Sequence, residues 1–339
     1  MRMIGIENSQ ILRHSIRACL LVLVIAVFVV STTPQGLQAQ SGDRSTLKNY
    51  QHVFLIMMEN TGYTSLIGNP NAPFINFTAA TYGLATNYTG ITHPSQPNYI
   101  ASTSGSTNGV ADDNDTTIDV PNIVDQMESR GKSWKAYMQS YSLCVTPLDH
   151  ACGNQLYERK HNPFISYKDV QTNPTRVANI VDFRQFTADL ANGTVPDYSW
   201  ISPDQCHDMH GRAATPADPC DFSQVQSLIA TGDAFVRDTV NSIMNSSAWN
   251  GNSIIFITWD ESDFPFSDVS GCCDAVPGGG RVVMLTISHS DHSARTSDVA
   301  YNHYSMLATI EDGWKLGCLG FTCDTANVPR MTDLVGPGK

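Results

Sequence analysis

Three clusters of acids and histidines in this 339-residue chain follow short apolar runs. HVFLIMM (52–58) leads into Glu59-Asn60, and SIIFITW (253–259) leads into Asp260-Glu261. YSWI (198–201) runs through Ser202-Pro203 into DQCHDMH, which carries Asp204, His207, Asp208 and His210. Carboxylate and amide oxygens together with imidazoles form the donor set of a divalent cation such as Mg, Ca, Mn, Fe or Zn. Any one of these acids alone reads as an ordinary loop or cap residue. Three clusters after three candidate strands point instead to a shared site, since open α/β sheets bind ligands outside the carboxyl ends of their strands.

A cation there gives a role to the stretch THPSQPNY (92–99), in which Ser95 lies between His93 and Asn98. A serine hydroxyl is a weak nucleophile at neutral pH and needs a base, a lowered pKa or a metal. The G-x-S-x-G turn of base-activated hydrolases is missing around Ser95. Metal coordination lowers the hydroxyl's pKa and neutralises charge on an attacked phosphate. Pro97 suits the first turn of a helix, the free N–H groups of that turn face anions, and Asn98 offers one more amide N–H. Read alone, Ser95 is simply an N-cap. His303 follows Tyr301-Asn302 and opens a predicted helix, from which it can point into the same cleft. His289 and His292, in SHSDHS, read equally well as a solvated loop and are set aside.

Positioning such residues requires a sheet. The runs 52–58, 133–138, 198–201, 253–259 and 281–288 are apolar without alternation, the pattern of strands buried on both faces. Helices are predicted between them at 121–130, 221–244 and 303–314, the first with Pro121 at its start and Gly131 past its end. Strand–helix alternation implies an α/β fold with a mostly parallel central sheet flanked by helices on both faces. Long Gly/Ser/Asn/Asp-rich segments, 102–119, 146–179 and 262–280, interrupt the pattern without separating two domains.

At the N-terminus Arg2, Arg13 and Arg17 precede an apolar run over 18–30 and then Leu37-Gln38-Ala39. This is the pattern of a secretory signal, too short for a comfortable membrane span. The expected organisation is a signal peptide over 1–39 and one domain over 40–339, exported, with no membrane span left after cleavage; an uncleaved anchor is the alternative. The net charge is −12, and the first 39 residues carry a positive excess, so the remainder is more acidic still. That argues against a basic nucleic-acid-binding surface. Beyond Cys19 there are eight cysteines, for which 144–152, 206–220 and 318–323 are plausible short-range disulfides; a zinc-thiolate site lacks the paired C-x-x-C spacing. Five Asn-x-Ser/Thr sites, starting at Asn76, Asn87, Asn114, Asn192 and Asn245, carry meaning only in a glycosylating host.

The set MMEN, THPSQPNYIASTSG, SPDQCHDMH, ITWDES and NHYSMLATIED resembles the secreted bacterial phosphoesterase family of acid phosphatases and phosphatidylcholine-hydrolysing phospholipases C, within the alkaline phosphatase superfamily. The resemblance spans about residues 50–320 and implies an alkaline-phosphatase-like fold. It implies one divalent cation of open identity at Glu59, Asn60, Ser95, Asp260 and Glu261, with Asp204 as a further ligand and a two-metal site as the alternative. It makes Ser95 the nucleophile that forms a phosphoserine, and Asn98 a phosphate contact alongside His93 and Asp208. His207, His210 and His303 are then the candidate proton donors. Asp208 and Glu261 stand where two-zinc relatives carry histidines. The implied activity is hydrolysis of phosphate esters, acid phosphatase-like, with phospholipase C or phosphodiesterase action as alternatives on the same site. A metal-free serine hydrolase of carboxylic esters and a non-catalytic binding module are the readings from other classes.

Overall fold

The unbroken apolar runs become the middle of a sheet. The computed structural model describes residues 49–335, and the candidate signal over 1–39 lies outside them. In chain order the strands are β1 (Val53–Met58), β2 (Gly83–Thr89), β3 (Trp134–Met138), β4 (Ala151–Cys152), β5 (Tyr157–Glu158), β6 (Ile180–Asp182), β7 (Tyr198–Ser202), β8 (Ile254–Trp259), β9 (Arg281–Ser288), β10 (Arg295–Ser297) and β11 (Tyr301–Asn302). Apart from the hairpin of β4 and β5, they form one nine-stranded sheet of order β10-β2-β9-β8-β1-β7-β3-β6, with β11 also on β2. Every pairing is parallel except those of β9, which runs against both β8 and β2.

All residues of β1, β7 and β8 are buried, and because strand side chains alternate, both faces of the sheet's centre are covered. One helix group, Pro73–Thr81, Arg184–Asn192 and Val225–Met244, packs together, and a second pairs Ser95–Ser104 with His303–Trp314. The first expected helix forms as Ile123–Ser129, capped by Asn122 with Asp125 closing a capping box, so Pro121 sits just outside it. Among the described residues no helix is long and apolar enough to cross a membrane.

The fold puts the three acid-bearing strand ends side by side. β8, β1 and β7 are consecutive, and the parallel register pairs Met58 with Trp259, so Glu59 and Asp260 emerge as neighbours. The third segment is tied in by the Glu59 N–H, which donates to the Asp208 carbonyl at 2.9 Å. The expected disulfides 144–152, 206–220 and 318–323 form, and the adjacent Cys272 and Cys273 make a fourth.

Candidate active site

Ser95 is the first residue of the helix Ser95–Ser104, whose ten residues are all buried. The segment before it is held against the 260–262 turn by close backbone contact. A Cβ on Gly90 would come within 2.6 Å of the Asp260 carbonyl, so only glycine allows this approach. The Gly90 N–H donates to Gly280, and Ser262 donates to Gly279, locking the two loops together.

In that setting Ser95 Oγ lies 3.0 Å from Glu59 Oε2, 3.1 Å from Glu261 Oε1 and 3.2 Å from Asn60 Oδ1. A hydroxyl has one proton, so three acceptors around it are more oxygen than it can satisfy. Asn60, in a left-handed backbone conformation at φ 37°, donates its N–H to Asp260 Oδ1 at 3.0 Å and its amide to Glu261. Asp260 Oδ2 is buried without a hydrogen-bond partner. Glu59, Asp260 and Glu261 are fully buried. Burial raises the proton affinity of all three; repulsion from Asp260 adds to it at Glu59, and repulsion from Glu261 adds to it at Asp260.

An oxygen cluster with an orphaned carboxylate atom and too many acceptors fits a hard divalent cation. Among the described residues these acids do not form a group of three whose ligand atoms all lie within 4.8 Å of one another. The tighter Cys144, Asp149, Cys152 group is closed by its disulfide and offers no thiolate.

Support around this cluster comes from residues to which the motifs gave no role. Tyr99, one turn after Ser95, donates to Glu59 Oε1. His161 stacks on Tyr99 with ring centroids 5.4 Å apart and brings Nε2 within 3.3 Å of the same Glu59 oxygen. Burial and the neighbouring Lys160 hold His161 well below the ordinary imidazole range. Asp113 Oδ1 accepts the Gln96 N–H at 2.9 Å, next to Ser95, and its Oδ2 pairs with Lys160 at 2.8 Å. Asp113, Lys160 and His161 lie in the Gly/Ser/Asn-rich stretches, where apolar periodicity gives no signal.

A cavity of about 600 Å³ opens beside the cluster, lined among others by Asn60, Asp113, Lys160, His210 and Arg212. Its mouth carries Phe222, Val225 and Phe264, all exposed.

The geometry gives several of the candidate residues contacts of their own. Asn98 does not present a free amide: its Oδ1 accepts from Ile91 and Thr92, and its Nδ2 donates to Thr92 and Pro94, so it braces the loop before Ser95. His303 is fully buried with both nitrogens engaged, Nδ1 on Tyr88 and Nε2 on the Asp260 carbonyl, and burial pushes it down to about 4; it supports Asp260 from behind. His93 bonds Glu261 through Nδ1 and the Asp268 carbonyl through Nε2, so it orients Glu261 and has no nitrogen left for a substrate. Asp204 is not among the oxygens around Ser95. It accepts from Ser140, His207 and the Cys206 N–H, which organises the loop after β7 and holds His207 outside the cavity. Asp208 is fully buried and accepts the His210 N–H. Of the three proposed proton donors, His210 lines the cavity.

Comparison with known proteins gives matches along most of the chain. The model of the Phosphoesterase family matches residues 69–317. An acid phosphatase of Aspergillus fumigatus is 28% identical over 80% of this chain and 56% of its own length. A phosphatidylinositol-3-phosphatase of Mycobacterium tuberculosis is 26% identical over 97% of each chain. This chain spans about six-tenths of the length of the fungal relatives it matches. In fold it is similar to a protein of the alkaline phosphatase superfamily from Vibrio parahaemolyticus, with a TM-score of 0.54 at 15% identity over 86% of this chain and 72% of that one.

Proposed function

Because the chain belongs to the Phosphoesterase family, we propose that it is an exported, acid-phosphatase-like hydrolase of phosphate esters that works through a phosphoserine at Ser95. The observation that carries this reading is Ser95 Oγ standing among Glu59, Asn60 and Glu261, beside the partnerless Asp260 Oδ2. Glu59, Asn60, Ser95, Asp260 and Glu261 would hold one divalent cation. When bound, that cation supplies positive charge opposite the serine oxygen and the phosphoryl group.

Ser95 Oγ attacks phosphorus in line with the leaving oxygen, its proton passing to a carboxylate it already faces. The bond to the alcohol breaks as the serine ester forms, and His210 is the candidate donor of a proton to the departing oxygen. Water then cleaves the phosphoserine, releasing inorganic phosphate and restoring the hydroxyl. Burial, reinforced by Lys160, holds His210 down at about 4, so its cationic form belongs to acid conditions. The alcohol portion of the ester would lie toward Phe222, Val225 and Phe264, which favours substrates with an apolar part. Phospholipids and diesters are the alternative on the same phosphoryl centre. A metal-free serine esterase is disfavoured, because among the described residues no imidazole bonds the Ser95 hydroxyl.

The test is a panel of phosphomonoesters, diesters and phosphatidylcholine on chelated protein reconstituted with one metal at a time. Mass spectrometry of acid-quenched reactions should find phosphate on Ser95. Full turnover in excess chelator, or normal activity in Ser95→Ala, would overturn the reading.

A further inference from the structure

Four fully buried carboxyl groups, Glu59, Asp208, Asp260 and Glu261, converge on this site, so an incoming phosphate dianion meets strong repulsion unless cations answer it. A divalent ion offsets part of that charge. The cavity offers three side-chain cations or potential cations besides His210. Arg212 is taken up by Asp218 at 2.6 Å, and His150 pairs with Asp115 at 2.9 Å near the surface. The third is Lys160.

We propose that Lys160 binds a non-bridging oxygen of the substrate's phosphoryl group and that Asp113 is the positioning residue that holds its ammonium toward Ser95, an inference that rests on the phosphate-ester reading of the site. Lys160 sits in the single turn Arg159–His161, which packs on the helix Ser95–Ser104. The next residue, His161, stacks on Tyr99 on the buried side, while Lys160 lines the cavity with its side chain 17% exposed. Asp113 joins the two halves: one oxygen takes the Lys160 ammonium at 2.8 Å, and the other takes the N–H of Gln96, the residue after Ser95. The ammonium has three donors, and among the described residues Asp113 is its one hydrogen-bond partner, so two remain for a ligand. Burial alone would weaken the charge on Lys160, but Glu59 and Asp113 outweigh it and keep the side chain cationic.

A lysine that merely neutralised Glu59 would affect folding and cation binding, not affinity for phosphate. The experiment therefore measures kcat and KM on para-nitrophenyl phosphate, and inhibition by inorganic phosphate, for the reconstituted full chain and for Lys160→Ala, Lys160→Arg and Asp113→Asn. Lys160→Ala should raise KM and the phosphate inhibition constant together by about 10- to 100-fold, the worth of a charge-assisted hydrogen bond. Its kcat should fall less, Lys160→Arg should recover most of the loss, and Asp113→Asn should shift the same constants by a smaller factor. If Lys160→Ala and Lys160→Arg both keep the wild-type inhibition constant within twofold, the inference is overturned. If wild type turns over no phosphate ester, the functional reading fails, and calorimetry with inorganic phosphate still judges this one. Binding by wild type that Lys160→Ala loses supports it; equal binding by both, or none by wild type, overturns it.

Discussion

The floor of the cleft and its wall are built by different means. The floor carries Glu59, Asp260 and Glu261 on the ends of two adjacent parallel strands, where ladder hydrogen bonds and the Met58–Trp259 register fix the spacing of the acids. The wall carries Lys160, His161, Asp113 and His210 on loops and single turns, held by side-chain bonds and by the Cys206–Cys220 disulfide. A position on the floor is set by the sheet and moves only if the sheet does. A position on the wall depends on a few polar contacts, each replaceable by a single substitution. The acids proposed to hold the cation sit on the floor, and the groups proposed to meet the phosphoryl and leaving oxygens sit on the wall.

The comparison can be broken at its centre by Ser95→Ala, which should lower turnover by at least about 10³-fold while the thermal melt stays near that of wild type. Next comes Asp260→Asn, with two effects of opposite sign. Activity after metal reconstitution should fall by about 10²–10³-fold. In chelator at neutral pH, however, the variant should be more stable than wild type by roughly 1–3 kcal/mol, because a buried carboxylate facing Glu261 is replaced by a neutral amide that still accepts the Asn60 N–H. A chelated variant that melts below wild type would show the floor to be held by something other than a missing cation.

On the wall, His210→Gln should cost about 10- to 100-fold in kcat on alkyl phosphates and little on nitrophenyl phosphate, whose leaving group needs no proton. Equal losses on both would remove His210 as the acid. The smallest effect is a control away from the cleft. Glu311 is fully buried on the helix His303–Trp314, bonded to Gln126, and burial raises its carboxyl from the ordinary 4.5 to about 7. The folded state then holds a proton that the unfolded state has lost, so stability falls as pH rises from 4.5 to about 7, by up to roughly 3 kcal/mol. Glu311→Gln should flatten that slope in urea titrations without altering kcat. A slope that persists unchanged would assign it to the floor carboxylates.

The floor was legible in the sequence because its strands are buried on both faces, and continuous apolarity followed by acids is a signal that survives without any structure. β2, GLATNYT, was missed since its residues are neither continuously apolar nor cleanly alternating, and its burial is broken at Thr86 and Asn87. Lys160, His161 and Asp113 carry no periodicity and owe their positions to contacts distant in sequence, such as Lys160 with Asp113 across 47 residues. Asn98 and His303 share a feature that spacing does not show. Each has the residue type and chain position of a site group, but hydrogen bonds to its own surroundings consume its polar atoms. Sequence spacing shows which residues can approach a cleft, not whether their donors are still free.

Ser95 and Tyr99 are successive members of one helical face, and both bond Glu59. The helix thereby spaces the two residues that hold this carboxylate four positions apart, about 6 Å of rise. A change that tilts this helix cannot move the hydroxyl and spare the acid. The two will fail together or survive together, so graded, intermediate activity should be rare among variants of residues 95–104, with most being either near normal or silent.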